Sequence, residues 1–116
     1  MIKLYGIPNC DTVKKARNWL AEHGIEVEFH DFKKQGLSAA QAQQWLHQSS
    51  WEQLINRKGM TWRGLPDDQK NIAGNKDAQK LMLDKTSVIK RPLLEEDGAL
   101  LHIGFDAASY QKLFKL

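Results

Sequence analysis

The chain has a single cysteine, Cys10, which follows the segment Ile2–Asn9 and directly precedes a run of helix-forming residues. A short apolar strand and a turn containing Pro8 predict that a helix begins at or just after the sulfur. A helix N-terminus carries about half a positive charge and several unpaired N–H groups, which stabilise a thiolate over a thiol. Because the thiolate is the nucleophile, this position is compatible with a reactive role. A lone cysteine is also often a small buried hydrophobic residue, and position alone leaves both interpretations open.

The pair Arg91–Pro92 is a second candidate for chemistry, because it interrupts an apolar run near the end of the chain. Proline cannot donate a hydrogen bond to a sheet, so it is expected at a strand start or on an edge strand. Arginine presents a planar fork of donors that binds oxyanions and carboxylates. A solvated arginine at a strand edge is the plain structural alternative.

The first third of the chain predicts a βαβ unit that would position Cys10. Residues 2–5 read as a buried strand, and apolar residues three or four apart predict a helix over 11–23, which ends before Gly24. Residues 25–32 alternate apolar and polar side chains, as a strand with one buried face does. A strand, a helix and a strand over about 30 residues indicate a right-handed parallel crossover.

The middle of the chain, about 38–83, predicts a helical insertion. Ser38 is a candidate N-cap for a helix over 39–48, and three of the four tryptophans fall between positions 45 and 62, which predicts a local core. The remaining segments are read as a short helix over 51–56, a loop over 58–66, a helix starting at Pro66 and another over 77–83.

The end of the chain predicts a hairpin followed by a helix. Strands are expected over 87–94 and 99–105, because the dipeptide Asp97–Gly98 between them is a strong turn signal. Asp106 is expected to cap the last helix. The element order is therefore βαβ, helical insertion, ββα, which predicts an α/β protein with a thioredoxin-like fold, a mixed four-stranded sheet and a single domain over 1–116.

Size and charge exclude several classes of protein. The chain has 116 residues, 17 Lys and Arg, 14 Asp and Glu, and a net charge of +3, a mild excess without the dense basic clusters of nucleic-acid surfaces. One cysteine and four scattered histidines give no disulfide and no metal-site spacing. No apolar run reaches the ~20 residues of a membrane span, and we expect the N-terminal residues Met1–Tyr5 to belong to the fold rather than to a signal peptide. We expect a cytoplasmic monomer with a reduced thiol, no metal, no nucleic-acid partner and no membrane partner.

The helix start carries Val13 where the thioredoxin motif Cys-x-x-Cys has its second cysteine. The chain therefore cannot resolve its own mixed disulfide, and a monothiol mechanism would need an outside thiol. Glutathione is the cellular default. In thioredoxin-like folds a cis-proline stands at the start of this strand beside the nucleophile, so likeness to that fold implies a cis Arg91–Pro92 bond and an arginine near Cys10.

The segment from Tyr5 to Leu20, the pair Arg91–Pro92 and the closing Leu101–Phe105 together resemble the arsenate reductase (ArsC)/Spx family. The resemblance covers nearly the whole chain and is greatest to YffB-type members, which are regarded as glutathione-dependent thiol reductases. It implies Cys10 as the nucleophile and Arg91 as the arginine beside it.

The chain departs from the arsenate reductase pattern at three places. Gly6 stands where those enzymes have a histidine, Trp51–Glu52 where they have an arginine, and the region of His102 shows no third anion-binding arginine. Arsenate therefore becomes the less favoured substrate, while thiol–disulfide chemistry is retained.

Other residues are candidates for binding glutathione or a substrate. Arg57 and Arg63, in the predicted basic loop, could hold the glutathione carboxylates, although a solvated loop is an equal alternative. Near the thiol, Asn9 could contact the ligand, and the backbone N–H groups of Asp11 and Thr12 could hydrogen-bond the thiolate. The Asp11 carboxylate would oppose this by raising the pKa of the thiol. Pro92 would shape the backbone that faces the substrate.

Three functions follow from the resemblance. The leading hypothesis is a monothiol oxidoreductase in which Cys10 attacks a disulfide or an oxidised thiol substrate. Glutathione, as co-substrate, then resolves the mixed disulfide, and a glutaredoxin is a further candidate partner. The second is an Spx-like regulator that binds RNA polymerase, against which the missing second cysteine argues. The third is arsenate reduction.

Overall fold

A mixed four-stranded sheet organises the first of two compact units in the computed structural model, which describes all 116 residues. This unit consists of Met1–Gln35 and Arg91–Leu116. The strands are β1 (Ile2–Gly6), β2 (Val27–Asp31), β3 (Leu93–Glu96) and β4 (Ala99–Ile103). The strand order is β2-β1-β3-β4, in which β1 runs parallel to β2 and antiparallel to β3, and β4 runs antiparallel to β3. The predicted thioredoxin-like α/β fold is confirmed.

Two helices, α1 (Asp11–Glu22) and α8 (Ala107–Leu113), contribute to the apolar core of this unit. The side chains of α1 that lie three or four residues apart are buried, as their spacing predicts. The core cluster contains Leu4 and Leu94 of the sheet, Ala16, Trp19 and Leu20 of α1, and Tyr110 of α8. Because α1 is packed in this way, its N-terminus has a fixed position relative to the end of β1.

The local signals at the end of the chain are confirmed. Asp97 and Gly98 have φ values of 49° and 90° in the turn between β3 and β4, the left-handed conformation that a two-residue hairpin turn requires. The Asp106 side chain accepts a hydrogen bond of 2.7 Å from the Ser109 backbone N–H, which caps α8.

The second unit, Gly36–Lys90, is built from short helices. The predicted cap of its first helix is confirmed, because the Ser38 hydroxyl accepts a 3.1 Å hydrogen bond from the Gln41 N–H. Trp45 has no exposed surface, consistent with the predicted local core. The helices are α3 (Ala39–Gln48), α4 (Trp51–Leu54), α5 (Met60–Arg63), α6 (Asp67–Lys70) and α7 (Asn75–Asp84), followed by a 3₁₀ turn at Thr86–Val88.

Three sequence predictions of local structure were wrong. The expected strand over 87–94 is a 3₁₀ turn and an isolated bridge between Ile55 and Ile89, and β3 begins only after Pro92, which has no N–H to donate. The expected loop over 58–66 contains α5. The strand expected to reach Phe32 ends at Asp31, because a short helix α2 (Phe32–Gln35) follows it. The Asp31 carboxylate holds the first turn of this helix by accepting a 2.9 Å hydrogen bond from the Lys33 N–H.

None of the helices combines the length and the apolar composition that crossing a membrane requires.

Candidate active site

Cys10 lies at the junction between β1 and α1, where the chain turns through Pro8 and Asn9. It is the N-cap residue of α1, with extended backbone angles of φ −93° and ψ 126°. Its carbonyl oxygen accepts the first helical hydrogen bond, 2.9 Å from the Lys14 nitrogen. Its thiol is half-buried. The predicted position of the sulfur at a helix N-terminus is therefore confirmed.

The backbone N–H groups that act on the sulfur belong to Val13 and Thr12. The thiol makes no side-chain cap hydrogen bond of standard geometry, but both amides favour its ionised form. The sequence predicts the amides of Asp11 and Thr12; the Thr12 amide does act on the sulfur, and the second amide is that of Val13. An N-cap side chain faces the second and third amides of the helix, which here are those of Thr12 and Val13, so the capping rule itself contains the signal for Val13.

Arg91 also acts on the Cys10 sulfur. Burial raises the pKa of the Cys10 thiol. This effect is outweighed by the Val13 amide, by the hydrogen bond and positive charge of Arg91, and by the Thr12 amide. The pKa of Cys10 therefore lies below that of an ordinary thiol. The two residues are far apart in sequence and come together because β1 pairs directly with β3, whose first residue follows Pro92.

Pro92 is buried, and its peptide bond with Arg91 is cis, as likeness to the thioredoxin-like fold implied. The Pro92 carbonyl oxygen accepts a 2.8 Å hydrogen bond from the backbone N–H of Gly104, just after β4. The backbone beside Arg91 is thus tied to the sheet on one side.

The remaining candidates near the thiol are exposed. Asn9 lies in the turn before Cys10, and Asp11 and Thr12 occupy the first two positions of α1. The Asp11 side chain is exposed, and the pKa of Cys10 is lowered in spite of the carboxylate that was expected to raise it. Contacts of Asn9, Asp11 and Thr12 with a bound substrate stay predictions.

Arg57 and Arg63 belong to the second unit. The Arg57 guanidinium lies over the ring of Trp51, 5.1 Å from its centroid, and Arg63 is exposed at the end of α5. A cation–π contact of this kind is typical of an exposed structural arginine. A role for either residue in binding glutathione stays a prediction.

Three of the four histidines make contacts within the fold and lie away from a nucleophile–base arrangement with Cys10. His30 packs against the ring of Tyr5 with centroids 4.6 Å apart, and His102 lies 3.5 Å from the Asp106 carboxylate. His23 lies 2.8 Å from a backbone carbonyl oxygen one helical turn earlier. No group of three or more His, Cys, Asp or Glu side chains is arranged as a metal site.

A thiolate between two amides and an arginine can attack a sulfur or another electrophile and can hold an anionic group beside it. The sequence contains no second cysteine to complete an internal disulfide. A mixed disulfide on this sulfur must therefore be resolved by a thiol from outside the chain.

Comparison with known proteins places these features in a family. A model described as the ArsC family matches residues 5–113. A solved structure of a protein named YffB is 40% identical, covers 97% of both chains and superposes with a TM-score of 0.91. A solution structure of an arsenate reductase (ArsC) related protein from Brucella melitensis is 50% identical over 99% of this chain and 95% of that chain, with a TM-score of 0.77. A global transcriptional regulator Spx from Lactiplantibacillus plantarum is 26% identical over 91% of this chain and 80% of its own length.

Proposed function

Since the chain belongs to the ArsC family, we propose that it is a glutathione-dependent monothiol oxidoreductase whose nucleophile is Cys10. The observation that carries the proposal is the position of the only cysteine, between the Thr12 and Val13 amides and the Arg91 guanidinium, with a pKa below that of an ordinary thiol. A buried structural cysteine would have its pKa raised instead.

The first step of the proposed reaction is an attack of the Cys10 thiolate on the glutathione sulfur of a mixed disulfide, R–S–S–G. The S–S bond breaks, R–S⁻ leaves and takes up a proton, and Cys10–S–S–G forms. Arg91 stabilises the thiolate before attack and then binds an anionic group, such as a glutathione carboxylate, with its fork of donors.

The second step restores the thiol. The thiolate of a second glutathione attacks the glutathione sulfur of Cys10–S–S–G, which releases Cys10 as a thiolate and forms oxidised glutathione. The net reaction converts R–S–S–G and one glutathione thiol into R–SH and oxidised glutathione, so atoms and electrons balance without a second cysteine in the chain. A glutaredoxin could take the place of the second glutathione.

Pro92 and the exposed residues Asn9, Asp11 and Thr12 are proposed to shape and contact the substrate at the thiol. Arg57 and Arg63 are proposed to bind glutathione carboxylates. Replacement of either arginine with alanine would raise the KM for glutathione, whereas a merely solvated arginine would leave this KM unchanged.

The test of the proposed function is adduct formation with oxidised glutathione. Intact-mass spectrometry of the wild type should show one glutathione adduct, and Cys10→Ser should show none. Reduced glutathione should then remove the adduct and restore the free Cys10 thiol. A coupled assay with glutathione reductase, NADPH and bis(2-hydroxyethyl) disulfide should show turnover in the wild type only. Absence of the adduct on the folded wild type would refute the mechanism.

The Spx relatives support one alternative, a regulator that binds RNA polymerase. Val13 in place of a second cysteine removes the dithiol switch of Spx-type proteins, so a regulator of this kind would have to work without it. Pull-down with the C-terminal domain of the polymerase α-subunit separates the two functions, because retention of the protein without thiol turnover would support the regulator. Arsenate reduction is third, and arsenate-dependent NADPH consumption in a glutaredoxin-coupled assay tests it.

A further inference from the structure

Gly6, the last residue of β1, lies directly against Val13 in the first turn of α1. A Cβ atom at position 6 would come within 2.8 Å of Val13 Cγ2 and 3.4 Å of Cγ1. Nonbonded carbon atoms pack at about 3.5–4.0 Å, so the shorter distance is a clash. The φ of Gly6 is not in the left-handed region, so the contact with Val13 is what makes glycine necessary here.

Val13 cannot easily move away from such a clash. Its side chain has no exposed surface. A valine in a helix has essentially one preferred χ1 rotamer, and the protein interior around it is densely packed. Any larger residue at position 6 must therefore push the first turn of α1 away from β1.

The first turn of α1 is also the part of the helix that faces the sulfur. Val13 supplies the amide with the largest favourable effect on the Cys10 thiolate. The side chain and the amide of one residue thus connect the end of β1 to the nucleophile, and a displacement of that turn moves the amide with it.

We propose that Gly6 is a positioning residue, which lets Val13 pack against β1 so that the Val13 and Thr12 amides are held at the Cys10 sulfur. The inference rests on the proposed function, because it explains how the thiolate of that mechanism is stabilised. A larger residue at position 6 requires a smaller one at position 13.

The experiment compares the pH profile of Cys10 alkylation by iodoacetamide among five proteins: the wild type, Gly6→Ala, Val13→Ala, the Gly6→Ala/Val13→Ala double variant and Gly74→Ala. In Gly6→Ala the midpoint of the profile should rise, and the rate in mildly acidic buffer should fall by roughly threefold or more. The double variant should regain the midpoint of Val13→Ala, because removal of the Val13 methyl groups removes the clash.

Gly74→Ala is the matched control. A Cβ at Gly74 would meet nothing within 4 Å, and its φ of 179° is extended backbone that any residue adopts. The midpoint of Gly74→Ala should equal that of the wild type. Circular dichroism establishes that each variant is folded.

A folded Gly6→Ala with the wild-type midpoint would overturn the inference alone, and so would a folded double variant whose midpoint stays raised above that of Val13→Ala. If Gly6→Ala does not fold, a double variant that folds with the Val13→Ala midpoint supports the inference, and a double variant that also fails to fold overturns it. A wild-type midpoint equal to that of a free thiol would instead contradict the proposed function, and with it the inference.

Discussion

Replacement of Arg91 with alanine should change the reactivity of Cys10 in opposite directions at low and high pH. The arginine favours the thiolate through a hydrogen bond and its positive charge. Its loss leaves the Val13 and Thr12 amides in place, so the sulfur should remain a nucleophile at the same position. What changes is the balance between how much thiolate is present and how reactive each thiolate is.

The magnitude follows from the type of contact. A hydrogen bond to a charged group contributes about 1.5–3 kcal/mol, and a half-buried thiol takes the low end because water screens the charge. Loss of about 1.4 kcal/mol lowers the ratio of thiolate to thiol about tenfold. The thiolate that remains is more basic and, with a Brønsted coefficient of about 0.4–0.5, is about threefold more nucleophilic. The observed rate should therefore fall about threefold in acidic buffer and rise about threefold where both proteins are fully ionised.

The assay is the rate of adduct formation with bis(2-hydroxyethyl) disulfide, a neutral probe that Arg91 does not attract by charge. Because the chain has one cysteine, intact-mass spectrometry reports that thiol alone. Arg17→Ala is the matched control, since Arg17 is an exposed arginine of α1 whose guanidinium lies 4.1 Å from the Phe29 ring centroid. It removes the same charge without removing a contact with the sulfur.

The refuting result is a pair of profiles for wild type and Arg91→Ala that do not cross. Equal rates at every pH would mean that Arg91 does not act on the thiolate. A uniformly slower Arg91→Ala would mean that the arginine serves the structure or the approach of the probe instead. If the rate–pH profile of Arg17→Ala also crossed that of the wild type, the effect would come from the net charge of the protein and not from contact of Arg91 with the Cys10 sulfur.

Two further perturbations test the stability of the fold and its coupling to the thiol. Asp106→Ala should lower the free energy of unfolding, measured by urea denaturation, by about 1 kcal/mol, because the Ser109 N–H loses its hydrogen-bond acceptor. The pH profile of Cys10 alkylation should stay unchanged in this variant, and a shifted profile would contradict a purely structural role for Asp106. Cys10→Ser should alter how stability depends on pH. The folded pKa of Cys10 lies below that of the unfolded thiol, about 8.5, so its contribution is present above that value and is lost as the pH falls through the folded pKa. Denaturation under reducing conditions should therefore show wild-type stability rising with pH relative to Cys10→Ser, and parallel curves would contradict a lowered pKa.

The parts of the fold predicted correctly from sequence are those that local chemistry determines. Ser38 and Asp106 cap helices because their side chains reach amides two or three residues ahead, and the Asp97–Gly98 turn follows from the left-handed angles that those residues tolerate. The βαβ unit followed from apolar periodicity in the same way. None of these features requires knowledge of a distant partner.

The errors came from segments whose conformation depends on distant neighbours. The apolar run that includes Ile89 looked like a strand, but it contributes only an isolated bridge to Ile55, which is far away in sequence. Phe32 was included in the predicted strand, although it is out of phase with Ile25, Val27 and Phe29; it is buried and begins a helix. At Ile89 the apolar composition indicated burial correctly and secondary structure incorrectly, because burial does not specify backbone geometry.

In the candidate site, too, local features could be predicted from the sequence and contacts between distant segments could not. The position of Cys10 at the start of α1 was readable from sequence, and the capping rule would have identified the Val13 amide. The meeting of Cys10 with Arg91 was implied by family resemblance, not by spacing. The contact between Gly6 and Val13 required coordinates, because a distance of 2.8 Å to a missing Cβ has no signature in composition or periodicity.

The division of the first unit into two sequence segments has a consequence for the protein during its synthesis. Cys10 is translated long before Arg91, and β1 has no antiparallel neighbour until β3 is made. While the chain is still growing, the thiol lacks the guanidinium that lowers its pKa, so a smaller fraction of it is ionised at neutral pH. The sulfur of the nascent chain should therefore react more slowly with cellular disulfides than the sulfur of the finished protein, in which Arg91 lies beside it.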